Sequence, residues 1–209
     1  FRKLQQDVAE FHLFLKNQSM NAFGSDSSTA QNRLASNLVG RWPSGAPLIL
    51  SPEQDPGESA NDFRYKGDLD GVRCPLGAHI RRCNPRDGLA ADTHVPFHRI
   101  LRRGMTYGPA YADEPEAERG LVFIAMNTDI EAQFEFIQEQ WMQNGEFTNL
   151  SADERDPLAG NNNDGQFTLP GATQSPFIFG LNSFVKTRGG GYFFMPSIKV
   201  LDLLAEGKL

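Results

Sequence analysis

Residues 74–86 read CPLGAHIRRCNPR, with His79 at the centre. The histidine follows two small residues, Gly77 and Ala78, and precedes Arg81, Arg82 and Arg86. Small residues let a flat ligand approach the backbone. A neutral imidazole can bind a metal, and guanidinium groups pair with carboxylates. A haem requires all three: an axial ligand, a close flat wall and cations for its propionates.

The wording of this stretch is more specific than its spacing. It resembles the proximal-haem segment of the dye-decolorizing peroxidases, in which the histidine at this position is the fifth iron ligand. Further blocks are similar to that family in the same order. They are GRWPSGAPL (40–48), HRILRRGMTYGP (98–109), RGLVFIAMN (119–127), FEFIQEQW (134–141), DPLAG (156–160) and FVKTRGGGYFFMPS (184–197). The likeness is to the larger members. It implies an α+β fold, with helices on a ferredoxin-like antiparallel sheet, forming the C-terminal half of a dimeric α+β-barrel-type peroxidase. Residues 1–209 are then one haem-binding domain.

The resemblance also implies roles. His79 is the proximal ligand of a haem b. The family's proximal acid matches Asp156 in DPLAG, with Asp164 as the fallback. The distal arginine matches Arg102, with Arg103 second. A fixed cation of that kind stabilises charge developing on peroxide. Leu121 and Phe123, on one face of their strand, match the apolar distal wall. Arg81, Asn84 and Arg86 are candidate propionate contacts. The implied reaction reduces hydrogen peroxide and oxidises an organic donor. Trp141, and behind it Tyr107, Tyr111 and Tyr192, are candidate relays for electrons, although the helical stripe holding Trp141 reads equally as core. A haem protein for storage or sensing, without turnover, is the alternative.

One element of the family pattern is missing. The family carries a G-x-x-D-G motif in its N-terminal half, whose aspartate assists peroxide cleavage; here DLDG at 68–71 and NNDG at 162–165 read as turns outside that context. The chain also opens at Phe1 rather than Met. The expectation is an N-terminal companion chain, proteolytic or separately encoded, that carries the distal aspartate and covers an apolar sheet face.

Composition agrees with a packed globular domain: 39% of the 209 residues are hydrophobic and 22% charged. A net charge of −6 argues against a nucleic-acid surface. Two cysteines, Cys74 and Cys83, are too few for a disulfide scaffold and read as reduced thiols. No apolar run is long enough to span a membrane and no secretory signal is visible, so a cytoplasmic location is favoured.

Periodicity places helices over 3–16, 28–40 and about 130–143, and another in the closing SIKVLDLLAEG. It places a strand over 121–127 and a hairpin from 184–188 and 192–196 around Gly189–Gly191. The stretch 41–72 reads as a long loop.

Overall fold

The computed structural model describes residues 1–151 and 153–208. Ala152 and Leu209, part of the 1–209 domain reading, lie outside the described residues. The frame is a four-stranded sheet in the order β2-β3-β1-β6. Its strands are β1 (Arg2–Gln6), β2 (Leu101–Tyr107), β3 (Gly120–Met126) and β6 (Val185–Gly190), and every adjacent pair is antiparallel. With a helical connection between β1 and β2 and another after β3, this is the ferredoxin-like arrangement. A second, two-stranded sheet joins β4 (Gly165–Thr168) to β5 (Phe177–Leu181).

The first element corrects the sequence reading. The expected helix over 3–16 is a strand followed by helix α1, Val8–Phe23. RKLQQ hydrogen-bonds to β3 on one side and β6 on the other, a long-range pairing that local periodicity does not encode. Asp7 then starts the helix by accepting from the Glu10 amide. Helix α2, Ser28–Val39, matches its expected span; Ser27 caps it, and Leu34 and Leu38 are buried.

Two further differences have physical causes. The stripe over 130–143 forms π-helical turns, Glu131–Glu135 and Ile137–Met142, rather than an α-helix. The stripe still buries Ile137 and Trp141, with Val95 and Phe147. The expected hairpin does not form: β6 pairs with β1, and residues 192–196 carry no strand. Helix α4, Ile198–Ala205, closes the chain under a Ser197 cap, with no buried residue.

Three apolar clusters fix these parts around the site. One packs Phe14, Leu15, Leu34 and Leu38 against Phe167, Ile178 and Leu181 of the small sheet. A second gathers Trp42, Leu48, Phe63, Tyr65 and Cys74 from the 41–74 loop around Ala78. The third joins the π-helical stripe to Val95 and Phe147, with Cys83 packed against it. The loop is thus a built layer, and it seats the short helix α3, His79–Cys83.

Helix α2 ends at Gly40, whose φ of 90° lies in the left-handed region. A Cβ there would lie 2.5 Å from Ile80 of α3. Gly40→Ala is therefore expected to cost more than the roughly 1–2 kcal/mol of left-handed strain alone. A fall in the urea midpoint at unchanged slope checks this; an unchanged midpoint would show that α2 and α3 do not pack this closely.

Candidate active site

His79 is the first residue of α3, and Asp156 lies in the turn that follows the π-helical stripe. The fold brings them together across 77 positions. His79 Nδ1 lies 3.0 Å from Asp156 Oδ1 and 2.9 Å from Oδ2. Asp156 is fully buried, and its Oδ1 also accepts from the amides of Leu158 and Ala159, at 2.9 and 2.8 Å. The carboxylate is at once the cap of the DPLAG turn and the partner of His79. Asp164, the fallback, is not part of this cluster: it sits in a turn with φ 57°, its amide bonded to Asn182.

The pair polarises both members. Burial alone would lower the His79 pKa, but the adjacent Asp156 carboxylate outweighs it and holds the imidazole well above its ordinary value. Burial would likewise raise Asp156. The facing imidazole, the bond it donates and the two turn amides reverse this and hold the carboxyl below its ordinary value. With Nδ1 engaged, Nε2 is the nitrogen left for a metal, and the side chain keeps 31% of its surface. A carboxylate behind a histidine ligand fixes the tautomer and raises ligand basicity. The donor set therefore fits a haem iron.

Cys83, one helical turn after His79, was not assigned a role from sequence; the i, i+4 spacing on a helix was its signal. Its Sγ lies 3.7 Å from Nδ1 and 3.8 Å from Nε2. Nearly equidistant, it sits against the ring rather than in line with either nitrogen. The ligand atoms of His79, Cys83 and Asp156 lie within 4.8 Å of one another. Asp156 is committed to Nδ1 and the turn, so the cluster offers one free donor nitrogen with its supports rather than three ligand atoms. Both cysteines are free thiols, and burial pushes Cys74 up to about 12.

Arg82 holds the cluster in place from beneath. It is fully buried and donates to the carbonyls of Trp141 at 2.7 Å, Asn144 at 3.0 Å and Glu154. These bonds tie α3 to the segment that carries Asp156. Burial lowers its pKa, and the negative charge of Asp156 and Glu154 opposes this.

Several sequence expectations need correction. Arg81 is not free for a propionate: it is buried, paired with Asp68 at 2.9 Å and bonded to the carbonyls of Cys74 and Asp68. Gly77 and Ala78 do not leave room for a ligand. A Cβ on Gly77 would lie 2.5 Å from Glu154 Oε1, and Ala78 is wholly inside the loop cluster. Their smallness lets α3 sink into the protein. Asn84 ends α3 with its Oδ1 buried and unpartnered. Arg86 is only partly buried, with its guanidinium 3.6 Å above the Phe63 ring.

The sheet supplies the facing wall. Arg102 lies opposite Ala125, Gly104 opposite Phe123 and Thr106 opposite Leu121. Side chains alternate along a strand, so Arg102, Phe123 and Leu121 share one face, while Arg103 lies on the other with Ile124. Phe123 meets Phe134 of the π-helical stripe at 6.0 Å. That stripe also packs on α3, which puts Arg102 and His79 on the same side of the sheet. His98 stacks on Phe136 at 3.7 Å, beside Trp141, itself only 4% exposed and inside the third cluster.

Residues 51–158 match the family model described as Dyp-type peroxidase, C-terminal. A dye-decolorizing peroxidase of Mycetinis scorodonius is 34% identical over 96% of this chain and 44% of its own length. A multifunctional dye peroxidase of an Amycolatopsis species is 32% identical over 98% of this chain and 48% of its own length. The solved structure of an ancestral D-type dye decolorizing peroxidase aligns with a TM-score of 0.83 and 36% identity, over 97% of this chain and 50% of that one. The chain thus spans about half the length of the relatives it matches.

The coupled pair sets a pH signature. Asp156, held low, contributes stability present above its unfolded value of 3.8 and lost as pH falls through its lower folded value. His79, held high, contributes stability present below 6.5 and lost as pH rises through its raised folded value. In the haem-free protein, Asp156→Asn is therefore expected to destabilise most between about pH 4 and 6.5, by roughly 3 kcal/mol or more. Chemical denaturation across pH 3–9 checks this; a pH-independent difference would mean that the two groups are not ionically coupled.

Proposed function

Because the chain belongs to the Dyp-type peroxidase family, we propose that it forms the haem-ligating C-terminal part of a dye-decolorizing-type peroxidase. In this reading it reduces hydrogen peroxide and oxidises an organic electron donor. One observation carries it: His79 Nδ1 lies on both oxygens of a fully buried Asp156, with Nε2 left for iron.

Haem b, when bound, supplies the iron-centred redox chemistry of peroxide reduction. His79 would hold the iron through Nε2. Its Nδ1–H donates to Asp156, which orients the ring and raises its basicity. Arg102 holds a permanent positive charge where peroxide oxygen develops negative charge, and Leu121 and Phe123 narrow the approach from the same face. Arg86 and Asn84 serve the rim of the pocket. Trp141 is too deeply buried to exchange electrons at the surface. Tyr192, 48% exposed and bonded to Glu135, is the better candidate there.

We also propose that polypeptide outside residues 1–209 completes the pocket with an acidic residue for proton transfer. The sheet supports this. Leu101, Met105, Ile124 and Met126 lie on the face away from Arg102 and are 65, 48, 36 and 43% exposed. An apolar face of that kind is covered in a stable protein. Among the described residues, no helix is long and apolar enough to cross a membrane.

Three outcomes are expected from the protein with its completing polypeptide. The purified protein shows a Soret band that changes within mixing time on one equivalent of hydrogen peroxide. His79→Ala removes the band. Arg102→Leu keeps it but slows the peroxide reaction about 10²–10³-fold, the scale of one lost charge-stabilising group. A Soret band indifferent to peroxide would point instead to haem binding without turnover. Residues 1–209 expressed alone are expected to aggregate or to elute as assemblies in size-exclusion chromatography. A soluble, folded monomer would refute the completing polypeptide.

A further inference from the structure

Arg41 follows Gly40, whose contact with Ile80 and Ala78 places this turn directly against the start of α3. Its guanidinium donates from Nη1 to the carbonyls of Gly45 and Ala60, the latter at 2.9 Å, and from Nη2 to Asn61 Oδ1 at 3.1 Å. Arg86 leaves the other end of the same stretch. It donates from Nη1 to the carbonyls of Asn61 at 3.2 Å and Phe63 at 3.1 Å, and from Nη2 to that same Asn61 Oδ1 at 3.0 Å. Both guanidinium groups lie on the Phe63 ring, at 5.3 and 3.6 Å from its centre.

Every one of these partners is neutral. Two permanent charges thus share one amide oxygen and one aromatic ring. No carboxylate hydrogen-bonds to either among the described residues. Neighbours add to the positive charge: Arg102 of the sheet at Arg41, and Arg64 and Arg99 at Arg86. Asp62 is fully exposed and closest to Arg64, at 3.7 Å. Each guanidinium has five N–H donors. Three are used in each group, so Nε–H and one Nη2–H remain on both. Holding like charges together is unfavourable without an anion between them.

We propose that Arg41 and Arg86 form a seat for a carboxylate beside α3, next to the haem site that His79 and Arg102 define in the proposed reading. The proposal rests on the haem reading and deepens it: the carboxylate is a haem propionate. A free aromatic carboxylate, such as an acidic electron donor, offers the same chemistry from a second source.

The test titrates the full-chain apoprotein with haem and with haem dimethyl ester, whose propionates carry no charge. It also follows thermal stabilisation by benzoate. The wild type is expected to prefer haem over the ester by about tenfold or more, the scale of a charge-assisted bond. Arg41→Met should abolish that preference while leaving ester binding unchanged. Because the readout is a ratio within each protein, general destabilisation cancels. Should Arg41→Met fail to fold, acetate competition on the wild type serves instead, weakening haem but not ester binding if the seat exists. A preserved preference with benzoate stabilisation lost would assign the seat to a free carboxylate. Preserved preference together with preserved benzoate stabilisation overturns the proposal. If the wild type shows no Soret band with either porphyrin, the haem reading fails separately, and the benzoate arm alone decides the seat.

Discussion

A buried carboxylate facing an imidazole is the constraint around which the chain is organised. Asp156 has no exposed surface, and an ion in that position is tolerated only when its lone pairs are filled. His79 and two turn amides fill them. The arrangement therefore requires α3 and the DPLAG turn to hold a fixed separation. Arg82 supplies that by clamping three carbonyls of the 141–154 segment to α3. The small residues before His79 let the helix sink far enough for the clamp to close.

The site uses its charges in two ways. Some are consumed internally: Arg81 by Asp68, and Arg82 by backbone carbonyls. Others stay on the open side with no carboxylate partner among the described residues, as Arg41, Arg86 and Arg102 do. The division follows burial. A cation deep in the protein must be satisfied by the protein itself, whereas one at a rim can wait for a ligand. This is why these five arginines have different fates.

The sheet stands between two environments. Its Arg102 face looks toward α3 and the π-helical stripe, and its Leu101 face carries apolar side chains left open. A sheet buries an apolar face by packing it against another layer, which is the physical basis for proposing a completing polypeptide. The aromatic and apolar residues of Tyr192–Ile198 are similarly exposed.

The sequence by itself determined the family likeness, the histidine, the partner aspartate as first choice over Asp164, the α2 span with its Ser27 cap, and the β3 strand. These are carried by short-range patterns: a motif, a cap, an apolar run. Tertiary structure alone decided the rest. RKLQQ is as compatible with a helix as with a strand until β3 and β6 flank it on both sides. The π-helical turns keep the apolar stripe of an α-helix, so periodicity could not separate the two. Arg81 and Arg86 look alike as neighbours of His79, yet one meets Asp68 and the other meets Phe63. Charge pairing depends on which distant segment folds back beside each residue, and linear spacing carries no record of that.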